Sequence, residues 1–248
     1  VQQDIAEKTA NKLRTYFVES SAAITPANRK PTVNSEAYTH YLKGKYFWNK
    51  WTPQDVTKAI ESFEEAARLD PDFSAPHTGL SQCYSFLGSC GHLDPASAYA
   101  TAQRKTLEAM EKDPTDPEAY LSLAMVKFIN YWDWAGAGES FEKAIGLGLD
   151  TAQLNQMYAY YLAAVGKLPE AIERMERALK MEPLSLSVMT QLGHLNMFAN
   201  NLEKSLEWYE SVLEMDPTFR TAYEGKGIIY LTMGRTEEAL PCMVEYQR

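Results

Sequence analysis

One spacing constrains this chain more than anything else in it. Small residues recur at Ala159, Gly193 and Gly227 and again at Ala171, Ser205 and Ala239, and turn formers recur at Gly166, Asn200 and Gly234, every step being 34 residues. Pro183 and Pro217 keep the same interval. A unit of that length is a helix–turn–helix. It cannot bury its apolar face alone, so it must stack on copies of itself.

The residues inside the period follow helical geometry. Counting each repeat from the third residue after the preceding proline position, places 4, 7, 8 and 11 fall on one face of a first helix, and places 20, 24 and 27 on one face of a second. Small side chains at 8 and 20 let the two axes approach to roughly 8–10 Å, while bulk at 4, 7, 11 and 24 fills the gap. Proline at place 32 ends the second helix, because it lacks an N–H and forces its predecessor out of the α region. The expected fold is all-α: a right-handed superhelical solenoid of about six repeats of the tetratricopeptide type. They run near 36–73, 74–116, 117–151, 152–185, 186–219 and 220–248, within a domain spanning 35–248.

Before the repeats, residues 1–18 place Ile5, Thr9, Leu13 and Phe17 on one stripe, the pattern of an amphipathic helix that needs a partner surface. This helix fits the end of an upstream domain, and the chain begins inside it without an initiator Met, as a piece of a longer protein would. Residues 19–34 (ESSAAITPANRKPTVN) lack periodicity and read as a linker. The first two repeats depart from the standard length and the third from the standard pattern. The first has a turn expected to be three residues longer, with Thr52 as N-cap and Pro53 at the first helical position. The second carries a nine-residue excess over SCGHLDPAS, a candidate contact loop or a tolerated surface insertion. The third holds Tyr131-Trp132-Asp133-Trp134, which reads either as a stacking platform for a ligand ring or as a helix cap wedged by aromatic packing. Pro241, inside the last helix, should distort it or delay its start.

Composition excludes several functions. With 33 acids against 24 bases and a net charge of −9, the chain offers no basic face to a phosphate backbone, so no nucleic-acid partner is expected. Cys83, Cys90 and Cys242 form neither a disulfide framework nor a zinc site and read as small core residues. No apolar run reaches membrane-spanning length, and no signal-peptide pattern opens the chain. His40, His77, His92 and His194 are scattered over distant repeats, and no nucleophile, metal or phosphate-loop motif is present. The chain is expected to be no enzyme and to need no cofactor and no metal.

What remains is recognition. The concave wall of such a solenoid is lined by places 2, 5, 9, 12 and 13 of the first helices, which here supply Tyr41, Lys45, Trp48, Gln82, Phe86, Met125, Phe128, Gln156, Tyr160, His194 and Phe198. The wall is aromatic and amide-rich and nearly uncharged. The partner expected there is a protein or peptide, with a small effector as the second class, held by stacking and amide hydrogen bonds. The same aromatics could equally serve packing. A structural scaffold that mediates self-association into homo-oligomers stands as the alternative function.

The phrases EAYTHYLKGKYFWNK, KAIESFEEAARLDPDF, AMVKFINYWDWAGAGESFEKAI, YYLAAVGKLPEAIERMERALKMEPLSL and LEKSLEWYESVLEMDP resemble the tetratricopeptide sensory region of bacterial multidomain regulators. In that family a winged-helix DNA-binding domain or a class III adenylate cyclase domain comes first, then a TolB-like domain, then the repeats. VQQDIAEKTANKLR resembles the closing helix of the TolB-like domain. The resemblance implies the regulatory or interaction part of a signalling or transcription-regulating protein, or of a cyclase. The location is left open by the sequence, with the cytoplasm favoured and the periplasm the alternative where a membrane span lies upstream. The chain departs from the family at GLGLD (146–150), where the third repeat should end in L-D-P or L-N-P, and this bears on the angle between repeats three and four.

Overall fold

A computed structural model of the chain describes residues 32–247. The expected helix at 1–18, and the linker at 19–34 except its last three residues, lie outside them. Among the described residues there are twelve α-helices and no strand. In chain order they are α1 (Ser35–Trp48), α2 (Pro53–Leu69), α3 (Ser74–Ser89), α4 (Pro95–Lys112), α5 (Pro117–Met125), α6 (Trp134–Gly146), α7 (Ala152–Ala164), α8 (Leu168–Met181), α9 (Leu186–Phe198), α10 (Leu202–Met215), α11 (Arg220–Thr232) and α12 (Thr236–Gln247).

The chain forms two compact units. The first runs through Val126 and includes Glu142–Leu149; the second holds Lys127–Phe141 and everything from Asp150. In the first, α1 packs on α2, α2 on α3, α3 on α4 and α4 on α5. In the second, successive helices from α7 to α12 pack in the same manner.

Local chemistry starts and stops these helices where the sequence indicates. Thr52, Asp94, Asp116, Thr151 and Ser185 each cap a helix by accepting a backbone N–H two or three residues on, with Pro at the first turn after Thr52, Asp94 and Asp116. Asn34 caps α1 through Glu36 and Ala37 N–H at 3.1 Å each, and its amide donates to the Leu69 carbonyl at 2.9 Å. Thr32 bonds the Asp70 carboxylate, so the end of the linker is tied to the end of α2. Between helices, Gly166, Asn200 and Gly234 take positive φ (81°, 60° and 74°), the left-handed step that lets the chain reverse.

Inside each unit a buried aromatic at place 24 sits in a socket made by glycines of two first helices. A Cβ on Gly44 or Gly79 would stand 2.5 or 2.7 Å from the Phe63 ring. A Cβ on Gly193 or Gly225 would stand 2.6 or 2.3 Å from Tyr209. Phe63 and Tyr209 are both fully buried. Hydrogen atoms at those four positions are what let the second helix lean on its own first helix and on the next one at once.

The first two repeats differ from expectation in one consistent way: helix, rather than loop, takes up most of the added length. α2 has 17 residues where α8 and α10 have 14, so the extra three form nearly one more turn of helix and the turn before it stays short. α3 and α4 are likewise long, at 16 and 18 residues, which leaves a connection of only 90–94 instead of the nine-residue loop. In the third repeat one extra residue enters as a π-helical turn, Val126–Asn130, a wider turn that admits it without breaking the helix. A helical turn satisfies its own backbone hydrogen bonds and a loop does not, which favours this outcome. α12 begins on schedule at Thr236 and runs through Pro241, so the proline does not delay it. Cys83 and Cys242 are core residues as expected, whereas Cys90 is exposed.

Candidate functional site

In unit 2 the first helices α7, α9 and α11 present Gln156 and Tyr160 at places 5 and 9, His194 and Phe198 at places 9 and 13, and Glu224 and Ile228 at places 5 and 9. Phe198 leaves 65% of its surface exposed and Tyr160 leaves 37%, while Gln156, His194 and Glu224 are half-buried. Burial nevertheless pushes the Tyr160 phenol up to about 12. Burial also pulls His194 below the usual histidine value, and the nearby Glu224 carboxylate offsets part of this. His194 rests edge-on against Tyr209, with ring centroids 5.7 Å apart. His194, Tyr209 and Glu224 therefore form one contiguous patch at the α9–α11 junction.

Tyr209 itself is unusual. Its hydroxyl is buried and has no hydrogen-bond partner among the described residues. Ser205 lies near enough to lower the phenol's pKa, yet the Ser205 hydroxyl donates to the Gly193 carbonyl at 2.7 Å and makes no well-formed bond to the tyrosine. Burial outweighs Ser205 and drives the phenol above its ordinary value.

The wall residues expected in unit 1 divide differently. Tyr41 is a core residue: its ring packs at 5.9 Å from Phe63 and 5.2 Å from Phe73. Place 5 lies three residues before the packing place 8, about 60° away on the helix. Phe73, bonded back to the Asp70 carbonyl, closes over it. Trp48 is also buried, against Trp51 at 4.8 Å and Phe86 at 6.0 Å, and Gln82 is buried within α3. These three are not open wall residues. Phe86 and Lys45 stay half-exposed. Met125 ends α5 in unit 1, whereas Phe128 lies in the π-helical turn of unit 2 against Trp134 and Tyr161, at 5.6 and 5.8 Å.

Two exposed tryptophans fall outside the wall places: Trp51, which the sequence reading did not name, and Trp132, which it named within the Trp-Asp-Trp segment. Trp51 and Trp132 take positive φ (53° and 57°) at the turn position that Gly or Asn holds in the regular repeats, and both are more than half exposed. The shared text N-x-W-[TD] at 49–52 and 130–133 was the available signal. Of the two readings of the Trp-Asp-Trp segment, the cap is present: Asp133 accepts from the Gly136 N–H at 3.0 Å, with Trp132 and Trp134 in a T-shaped contact at 6.0 Å.

Unit 1 also holds a polar cluster. His77 meets Glu108 at 3.0 Å, and Glu108 accepts Lys105 and Arg104 at 2.7 and 2.9 Å. Burial is the main reason that His77 titrates low, helped by Lys105 and Lys112 and opposed by Glu108. Among the described residues no group of three His, Cys, Asp or Glu could hold a metal ion, and no helix is long and apolar enough to cross a membrane.

Comparison with known proteins agrees on the fold. The chain is similar to a solved structure of PilW, a type IV pilus biogenesis factor, with a TM-score of 0.70 and 16% identity over 87% of this chain and 94% of that one. It is similar to YrrB, described as a TPR protein with an unusual peptide-binding site, with a TM-score of 0.54 and 21% identity over 75% of this chain and 91% of that one. The chain therefore has a tetratricopeptide-type helical-repeat fold. In sequence it is 27% identical over 143 residues to the transcriptional regulator HilA of Salmonella typhimurium, a match that takes in 58% of this chain and only 26% of HilA. The model of the Glyoxalase/Bleomycin resistance protein/Dioxygenase superfamily matches residues 191–241. That stretch is well under half of the chain and consists here of the end of α9, α10, α11 and the start of α12.

Proposed function

We propose that this chain is a non-catalytic tetratricopeptide-type module. It holds an extended peptide segment of a partner protein on the first-helix face of unit 2, with Tyr160, His194 and Phe198 as anchors. One observation carries the reading: on the successive first helices α7 and α9, Tyr160 leaves 37% and Phe198 65% of its surface exposed, with His194 half-buried one turn before Phe198. Phe198 adds a largely exposed aromatic surface, Gln156 an amide and Glu224 a charge. These are the means by which a peptide backbone and an apolar or basic side chain are held. YrrB, with the same fold, is described as having a peptide-binding site. The partial likeness to HilA supports placing the module in the regulatory part of a transcription-regulating protein.

The test is a random-peptide display library panned against the immobilised protein. Enriched sequences should bind the parent chain and lose binding to the Phe198→Ala and His194→Ala variants. Enrichment that survives both substitutions contradicts the reading, as does a failure to enrich at all.

A further inference from the structure

The fourth repeat carries a charge pattern that the other repeats lack. Places 23, 26 and 29 of its second helix are Arg174, Arg177 and Lys180, and no other repeat has a cation at more than one of these places. Three-residue steps bring all three to one side of α8, over about 9 Å of its axis. In unit 2 they border an open cleft of about 460 Å³, whose lining also includes Glu173 and Met181. A cleft of this size suits a small ligand. In a chain of net charge −9, a cleft lined by three cations and one acid runs against the general surface charge.

The two arginines are held by a buried amide. Asn155, fully buried on α7, donates to the Asp150 carboxylate and to the Thr151 carbonyl, at 2.9 Å each. Its own oxygen accepts from Arg174 at 3.3 Å, and the Arg174 guanidinium lies over the Tyr158 ring, 5.1 Å from the centroid. Arg177 grips Asp150, the last residue of GLGLD, with both arms of its fork, through Nε at 2.9 Å and through Nη2. Asp150 thus neutralises Arg177, while Arg174 and Lys180 make no ion pair among the described residues. We propose that this cleft binds a small oligoanion, a di- or triphosphate group, through Arg174 and Lys180. A guanidinium fork meets two phosphate oxygens at once, and an ammonium adds a point charge. A phosphate chain concentrates several charges in one short group, as a single cleft requires, whereas an acidic peptide spreads them along an extended backbone. The site shares no residue with the peptide-binding face proposed above.

Isothermal titration calorimetry on the whole chain tests this, with inorganic triphosphate as the probe. One triphosphate should bind per chain, saturably, and binding should persist at about 0.15 M salt, where loose attraction between exposed charges is screened beyond about 8 Å. Arg174→Gln and Lys180→Gln should each weaken it at least about tenfold. Lys180 is exposed, so its variant should keep the parent Tm and separate lost binding from lost folding. Arg68→Gln, at place 29 of the first repeat in unit 1, should bind like the parent chain. A nucleoside triphosphate titrated in parallel distinguishes the source: tighter binding adds a contact to the nucleoside, and equal or weaker binding leaves the phosphate chain as the whole ligand. Absence of saturable binding, or binding that survives both substitutions, would overturn the proposal. So would an oligoglutamate peptide that binds at least as tightly as triphosphate, which would assign the cleft to an acidic partner protein.

Discussion

The socket around Tyr209 makes a quantitative claim. Gly225 on α11 faces the ring so closely that an added Cβ would lie 2.3 Å from Cζ, 2.6 Å from Cε1 and 2.7 Å from the hydroxyl oxygen, all inside contact distance. The ring cannot retreat, because Gly193 on α9 bounds it at a hypothetical 2.6 Å and the side chain is fully buried. Gly225→Ala would normally favour a helix, since alanine is the better helix former by about 1 kcal/mol. Here overpacking, about 1–3 kcal/mol, should exceed that gain and leave a net loss. Urea unfolding followed by circular dichroism should show a lowered midpoint. Adding Tyr209→Leu should make the alanine nearly neutral or favourable relative to Tyr209→Leu alone, a non-additivity of about 1 kcal/mol or more. If Gly225→Ala raises stability in the parent chain, the close approach of α10 to α11 does not exist as described.

Other consequences follow from the same geometry. Tyr209→Phe keeps the ring and removes a buried hydroxyl without a partner, as Phe63 already does in the equivalent socket; it should raise stability by about 1 kcal/mol, or roughly 2–4 °C in Tm. A loss of that size would reveal a partner for the hydroxyl. Acidification should weaken the fold. His77 and His194 are held below the ordinary histidine value of 6.5, so the unfolded chain binds more protons as the pH drops through that value, and stability present above it is lost below it. The carboxylates of Glu108 and Asp150, held low in the fold, act in the same direction below the ordinary carboxylate range. Melting temperature should therefore fall between pH 7.5 and 5.5, and less steeply in His77→Asn; an unchanged or rising Tm would contradict the assignment.

The repeat was legible because its cause is periodic. Ala159, Ala171 and Met175 had to meet at one helix crossing, and spacing alone reveals such a meeting. The irregular repeats were not, since a sequence gives the number of added residues but not whether helix or loop takes them up. The wall was read only in part for a related reason. A place number fixes an angle around one helix, whereas burial at Tyr41 and Trp48 comes from Phe73 and Trp51, residues of turns. Gly79 and Gly225 carried a usable signal that went unread: both stand at place 6, in the repeats that follow Phe63 and Tyr209.

The central claim is that a partner binds the first-helix face of unit 2, and the most direct measurement pairs affinity with stability. For a display-selected peptide, Kd and Tm would be determined for Tyr160→Ala, His194→Ala, Phe198→Ala and a deletion of Ser89–Asp94. At least one alanine variant should lose about 2 kcal/mol of binding or more, roughly thirtyfold in Kd, while Tm stays nearly constant, as expected for anchors that line a surface rather than fill a core. Three alanine variants that bind normally, with a deletion that abolishes binding, would move the site to the α3–α4 connection and contradict the account.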